Sequence, residues 1–355
     1  MFPEWTWIVG LFIGAAIGSF LNVVIYRVPR SISLSKPAKS FCPICKHSLG
    51  VLDLFPLLSY VMLGGKCRYC KAKVPIRYFF VELINGAIWA GLWYQHLILG
   101  WDPAKGIAYA LAGATLVAII YIDWELFIIP DQINGFLLLV GLGYNAWLFW
   151  EGSERAFIGG LPSSVVGALV GIGALWGIAF LGRIAFKKNA MGHGDIKMAR
   201  GIGAVLLPMS ALISFGLAVV LGAVLGIAQI LARRSQLSEG DDQVDITDEF
   251  LDEPESIGSL VKSGIGYVLC IDLIGLLIPS LYRSWFNEDP YEPIVETDDT
   301  TVMDNTIIPF GPYLALGAIV TAVFEQQLMQ GVDAYWKHAT GAQALLEQLT
   351  LGGRL

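Results

Sequence analysis

Charge is what this sequence lacks most. Only 15% of its 355 residues are Asp, Glu, Lys or Arg, 55% are hydrophobic, and mean hydropathy is +0.62. Soluble domains carry about a quarter charged residues, and this much apolar surface also excludes a disordered chain. Cysteine is scarce: five residues are too few to staple a scaffold of this size. The amino terminus has no basic stretch of the kind that opens a secretory signal, and its apolar run is of full span length, so no cleavable signal peptide is expected. The Gly-rich strand-to-helix fingerprint of a soluble nucleotide fold is missing too. Glycine itself is abundant, with forty residues and no collagen period, as in helices that approach closely in lipid. The sequence reads as an all-α, polytopic membrane helix bundle.

The net charge of −7 conceals two unlike parts. Residues 239–304 hold 17 of the 30 acids and only two bases, Lys262 and Arg283, a balance of −15, while the rest of the chain nets +8. The basic residues flank apolar runs, where they set membrane topology. Lipid is therefore the expected surrounding, and no nucleic-acid partner is expected.

A bilayer core needs roughly 20 residues of helix. Uncharged apolar runs of this order cover 5–26, 83–101, 106–122, 132–150, 156–182, 201–232 and 305–324. The run 201–232 is too long for one straight crossing and Pro208 offers a break, so seven or eight transmembrane helices are expected. Gly10, Gly14 and Gly18 recur every four residues, which lets one face of the first helix pack closely on a neighbour. Ten of the 23 Lys/Arg fall between Arg27 and Arg77. By the positive-inside rule that loop is cytoplasmic and the amino terminus external. Counting crossings forward returns the 121–131 turn and the loop around Lys187, Lys188 and Lys197 to the same face. Segment 264–281 is apolar but short, with Asp272 at its middle. A charge at the bilayer centre costs about 2.5–3.5 kcal/mol, so this segment is expected to be interfacial or re-entrant. Residues 239–255 hold too few apolar side chains for a core and read as solvated loop.

Two CxxC pairs, Cys42-Pro43-Ile44-Cys45 and Cys67-Arg68-Tyr69-Cys70, stand in the basic loop with 21 residues between them. Each spacing lets a tight turn aim two sulfurs at one ion, and two such turns complete a tetrahedral thiolate shell. Lys46, Lys66, Arg68 and Lys71 favour thiolates. Disulfides are disfavoured in a reducing cytoplasm, and nothing else in the chain suggests the redox work of an iron–sulfur cluster. Structural zinc is the expectation, and a closed four-thiolate shell leaves no open position for catalysis. Cys270 reads as a small buried apolar residue. The organisation is then a first transmembrane helix (1–26), a cytoplasmic zinc-binding loop (27–80), a membrane core (81–234), an acidic insert (235–305), a last transmembrane helix (306–330) and a C-terminal tail (331–355).

Only 13 acids lie outside the acidic segment, and four stand out: Asp123, Glu125, Asp131 and Asp195. Asp123 closes the uncharged run 106–122, Asp195 comes just before another apolar helix, and both face the cytoplasm on this topology, so they can meet. Two carboxylates that share one site do not both ionise. One keeps a proton, so one member can activate water while the other protonates a carbonyl, with no metal and no covalent nucleophile. Gly192 and Gly194 beside Asp195 would let a substrate backbone come close. Asp131 reads as a helix N-cap, with support for the pair or substrate binding as the alternative. Glu125 reads equally as a support for the pair or as an interfacial carboxylate, and His193 as a boundary residue. Lys197, two residues beyond Asp195, is a further candidate for supporting the pair or binding substrate.

These motifs, in order, resemble those of the prepilin peptidase (type IV leader peptidase) family of bacterial membrane aspartic peptidases. The resemblance rests on the first-span segment from Gly18 through Asn22 and Arg27 to Pro29, the two CxxC pairs, Asp123-x-Glu125 with Pro130-Asp131, Gly192-His193-Gly194-Asp195 with Lys197, and Pro309-Phe310-Gly311-Pro312-Tyr313 opening the last span. It implies that Asp123 and Asp195 are the catalytic aspartates of an inner-membrane enzyme acting at the cytoplasmic face. It implies cleavage of the basic leader of type IV prepilins or type II secretion pseudopilins after a glycine. Members with the cysteine loop also N-methylate the new amino terminus using S-adenosylmethionine, so both activities are implied. The acidic insert is not part of that common pattern. The rival reading is an ion- or proton-coupled transporter that uses the same carboxylates; its mark would be an inverted repeat with broken helices, and no internal repeat is evident.

Overall fold

The computed structural model describes residues 2–36, 39–42, 44–187, 191–236, 255–292 and 309–339. These form a bundle of helices: α1 (Trp7–Arg27), the short α2 (Leu58–Met62), α3 (Arg77–Trp93), α4 (Pro103–Leu126), α5 (Asp131–Trp150), α6 (Ser163–Phe186), α7 (His193–Gln236), α8 (Ile257–Val268), α9 (Ile271–Leu277), α10 (Pro279–Phe286), α11 (Gly311–Val323) and α12 (Glu325–Ala339). Among the described residues the one sheet is a two-residue-per-strand hairpin, Phe157–Ile158 with Leu161–Pro162, turned by Gly159 and Gly160 at positive φ.

Small residues decide how the helices approach. The Gly10/Gly14/Gly18 face of α1 lies on α3: a Cβ at Gly10 would stand 2.8 Å from the Trp93 Cβ, and one at Gly18 would stand 2.7 Å from the Glu82 Cα. Asn85 of α3 donates to the Gly14 carbonyl at 2.6 Å, a bond that only such an approach permits. The same device joins α6 to α7, where a Cβ at Gly167 would land on the Gly203 carbonyl and one at Gly171 on the Ala199 carbonyl. α4 is the central helix: Asp102 caps it, accepting the Lys105 N–H at 3.0 Å, and Pro103 starts it.

α7 breaks where the sequence suggested, at Leu207 (φ 66°, ψ 167°) immediately before Pro208. The proline lacks the N–H the helix needs and clashes with a helical residue before it. By length and composition five helices of the described residues can cross a membrane, and α8 with α9, bent by 69°, would make a sixth as a broken span or a re-entrant loop. That is fewer than the seven or eight expected: α3, of 17 residues, and α11, of 13, pack in the same bundle but are shorter. An all-α, multi-pass bundle is thus what the chain forms.

Two expectations need correction. The last span, expected over 306–330, is α11 alone; the chain breaks at Phe324 and continues as the separate, polar α12, because Glu325 pairs with Lys105 and accepts the Ser210 hydroxyl at 2.9 Å. Residues 306–308 lie outside the described ones, as does most of 239–255. The insert contributes helices to the bundle: α8 packs on α6 and α9 on α5, while Tyr267 and Tyr282 reach Arg200 and Asp131. And Asp272 is not an uncompensated charge. Fully buried, it accepts two hydrogen bonds from Arg200 of α7, at 2.8 and 2.6 Å, a bidentate pair that offsets its desolvation.

Candidate active site

Asp123 sits in the last turn of α4. Ile119 and Ile122 on the same face turn it inward, and it is only 5% exposed. Phe127, in the left-handed conformation at φ 57°, ends the helix and bonds back to the Asp123 carbonyl at 3.0 Å. Asp195 lies in the first turn of α7, half-buried, and its carboxylate accepts the Gly192 backbone N–H, half of a capping box. An acid there also faces the positive end of the helix dipole. The two aspartates come from segments 72 residues apart, yet both line a cavity of about 770 Å3, and the charge of one acts on the other.

A third element closes on them. The Gly311 N–H, at the start of α11, donates to Asp123. A Cβ at position 311 would collide with the Asp123 carboxylate, so only glycine allows this contact. Sequence reasoning placed Gly311 in a motif without a role; the signal was a glycine before a proline at a helix start. Gly194 has a second neighbour. It lines the cavity, and an added methyl there would stand 3.1 Å from the Ile129 Cβ, so it also seats a protein side chain. Gly192 is exposed and faces the Asp195 carboxylate.

Asp131 is not an N-cap: Pro130 occupies that position and no side chain caps the helix. Its carboxylate instead takes Lys197 Nζ at 2.7 and 2.9 Å and the Tyr282 hydroxyl at 2.8 Å. Lys197 is enclosed by the rings of Tyr267, Tyr282 and Phe286, between 5.3 and 5.9 Å from their centroids. His193 contacts Glu255 at 2.9 Å and the Tyr267 hydroxyl at 2.8 Å. Glu125 does not line the cavity and pairs with Arg77 at the start of α3. Tyr267, Tyr282 and Glu255 all come from the insert and went unnoticed in the sequence, since nothing local to them points to a partner across so long a separation. The insert thus grips the helix that carries Asp195 at three side chains one turn apart, His193, Lys197 and Arg200.

The cysteines form a second centre at the same end of the bundle. Each CxxC pair folds as the same knuckle. Lys46 and Lys71, at φ 57° and 61°, follow the turns and donate to the carbonyls of Cys42 and Cys67 at 2.8 and 3.0 Å, while Cys42 and Cys67 donate to His47 and Ala72. All four sulfurs lie within 4.8 Å of one another, and Cys42 and Cys70 are 3.9 Å apart. Sulfurs around a tetrahedral Zn2+ with about 2.3 Å bonds stand roughly 3.8 Å apart, so the donor set fits such an ion. Backbone N–H groups of Cys70 and Tyr69 hold the Cys67 thiol down to about 7, while Cys70, despite the Ala72 N–H, is pushed up to about 11 by burial and the neighbouring sulfurs, as expected of thiols crowded together. No cysteine is in a disulfide among the described residues.

An all-α membrane bundle with paired carboxylates in one cavity, and a four-thiol module beside it, defines a multi-pass membrane protein equipped for acid–base chemistry at one end of its helices. Known proteins agree. The model of the bacterial peptidase A24 N-terminal domain matches residues 12–96, and that of the type IV leader peptidase family matches 109–227. Proteins named prepilin leader peptidase/N-methyltransferase are similar to the chain. That of Aeromonas salmonicida is 32% identical over 254 residues, 63% of this chain and 81% of its own. That of Neisseria gonorrhoeae is 30% identical over 245 residues, covering 61% and 81%. That of Burkholderia pseudomallei is 31% identical over 255 residues, covering 64% and 77%. No solved structure matches. The chain belongs to the type IV leader peptidase family.

Proposed function

We propose that the protein is a membrane aspartic endopeptidase that removes the leader of type IV prepilins or type II secretion pseudopilins after a glycine, and then N-methylates the new amino terminus. The observation that carries this is the convergence of Asp123 and Asp195 on one cavity, each held by a glycine N–H. In the proposed step one carboxylate takes a proton from water as it attacks the scissile carbonyl, and the other, protonated, donates to the carbonyl oxygen. Collapse of the tetrahedral intermediate passes a proton to the leaving amine. Asp131, tied to Lys197 and Tyr282, would set the cavity wall rather than react. The basic 27–77 loop supports a cytoplasmic position for this end of the bundle in a bacterial inner membrane. S-adenosylmethionine would supply the methyl group. The carboxylates cluster at one end of the helices, and no observation favours a transporter.

Purified protein in detergent, given a prepilin peptide and labelled S-adenosylmethionine, is expected to lose the leader mass and gain a methyl on the product. Transport of an ion by reconstituted vesicles without any cleavage would reject the reading. The cysteine centre yields a separate expectation: about one zinc per chain by elemental analysis, as a closed four-thiolate site holds one ion, lost in a Cys42→Ser/Cys45→Ser variant. Iron in its place would overturn structural zinc.

A further inference from the structure

Between the two cysteine knuckles, residues 54–65 carry no charged side chain. Asp53, just before them, is held by Arg68 and by the Tyr69 hydroxyl of the second knuckle. Gly64 and Gly65, at φ 59° and 66°, turn the chain back to Lys66 and Cys67. Both ends of the segment are thus fixed at the knuckles, and the part between, α2 included, leaves them and returns. Its outer face is apolar and open: Phe55, Leu58, Val61 and Met62 are all exposed, Met62 at 83%. An apolar face of this kind marks an interaction surface.

Two contacts show how far along the bundle the segment reaches. The Phe55 ring meets that of Phe12, with centroids 6.3 Å apart. Phe12 belongs to a stripe of α1 with Ser19, Val23 and Tyr26, turned away from the glycine face that packs on α3. The segment lies along this stripe, and a cavity of about 220 Å3 separates its Leu54, Tyr60 and Leu63 from α1. α1 is long and apolar enough to cross a membrane. Phe12 stands fifteen residues from Arg27 at its end, about 22 Å of helix, where a hydrocarbon core is about 30 Å thick. The second contact is the Leu57 N–H, which donates to the Glu82 carboxylate at 2.8 Å. Glu82 is level with Gly18 of α1, whose added Cβ would stand 2.7 Å from the Glu82 Cα. That is nine residues, or about 13 Å, in from Arg27. Both contacts place the segment beside a spanning helix, inside the layer that helix crosses.

The backbone of the segment fits that surrounding. Lipid offers no hydrogen-bond partner, so polar main-chain groups at membrane depth must be satisfied by protein. Pro56 brings no N–H, and Leu57 gives its own to Glu82. The N–H groups of Ser59, Val61, Leu63 and Gly65 go to the carbonyls of Phe55, Leu57, Ser59 and Tyr60, between 2.9 and 3.2 Å. From these observations we propose that residues 54–65 form a re-entrant element whose outer face, Phe55, Leu58, Val61 and Met62, is covered by lipid acyl chains. Twelve residues that return to the end they left cannot cross the bilayer. The cysteine knuckles then sit against the membrane face, where Lys46, Lys66, Lys71 and Lys73 meet anionic headgroups. The cysteine loop is in this way anchored in the bilayer along α1 rather than free in the aqueous phase.

The test uses full-length protein in vesicles of phosphatidylethanolamine and phosphatidylglycerol, doped with phosphatidylcholine bearing a diazirine midway along one acyl chain. After photolysis, peptide mapping is expected to find the lipid label on Leu58, Val61 or Met62 and none at 42–46 or 67–71. Hydroxyl-radical footprinting of the same vesicles is expected to modify Met62 at least tenfold more slowly than Tyr69. In water the order would be reversed, since Met62 is the more exposed of the two in the fold, at 83% against 46%. Label confined to the spanning helices, with Met62 modified as fast as Tyr69, would overturn the proposal. Protection of Met62 without acyl label would mean that protein covers the face and would overturn it equally. A Val61→Asp/Met62→Asp variant that keeps its cysteine-bound metal is expected to lose about 5 °C or more of thermal midpoint in vesicles, because carboxylates are costly in hydrocarbon. An unchanged or raised midpoint would count against the element.

Discussion

Asparagine in place of Asp123 or Asp195 is expected to lower the rate of leader cleavage by at least about a thousandfold, within the 10²–10⁴ range that a positioned acid or base contributes. The replacement is nearly isosteric and each amide oxygen can still accept its glycine N–H, from Gly311 or Gly192, so folding and zinc content should be unchanged. What is lost is the ability of the pair to share one proton. Because the two act as a unit, the double variant is expected to be about as inactive as either single one. Product quantified by mass spectrometry checks this, and cleavage persisting near the wild-type rate in either variant would remove the assignment. Gly311→Ala tests the same arrangement from the backbone side. Its methyl would displace the Asp123 carboxylate, so cleavage should fall with both aspartates intact.

What the sequence made legible was mostly short in range or periodic. The glycine face of α1, the break before Pro208 and the two cysteine knuckles all depend on residues within a turn or two of each other. The meeting of Asp123 and Asp195 was legible through counting alternate crossings, since basic loops fix which helix ends share a face. The rest depended on partners that no local pattern reveals. Asp131 resembles a cap in sequence, yet its carboxylate is taken by Lys197 and Tyr282, 66 and 151 residues away. Asp272 looked like a charge too costly to bury because Arg200, immediately before the apolar run 201–232, had not been weighed as its partner. The insert was legible only in part. Its acidic flank, 239–255, reads as solvated loop and the apolar segment after it stands apart from that flank, but nothing local shows that α8 and α9 dock on the core.

Arg200 and Asp272 supply the other large effect. Their side chains are 1% and 0% exposed and meet in a two-bond fork, with Arg200 also donating to the Tyr267 carbonyl at 2.8 Å. Asp272→Ala would leave a buried guanidinium without its counter-charge, and breaking such a pair from one side costs about 3–5 kcal/mol. The expected result is a large drop in thermal midpoint in detergent. An Arg200→Leu/Asp272→Leu double variant should recover much of that loss, because removing both charges removes the desolvation cost with them. Activity separates two roles for the pair. Arg200 stands five residues beyond Asp195 on α7, and the insert holds that helix through Tyr267, Asp272 and Tyr282 together. If the fork serves only to stabilise the fold, the double variant should cleave at the wild-type rate. If it also aligns the turn bearing Asp195, kcat should stay depressed with KM little changed even as the thermal midpoint returns. The second result is expected, because Tyr267, whose carbonyl accepts from Arg200, also lays its ring beside Lys197, one helical turn closer to the carboxylate pair.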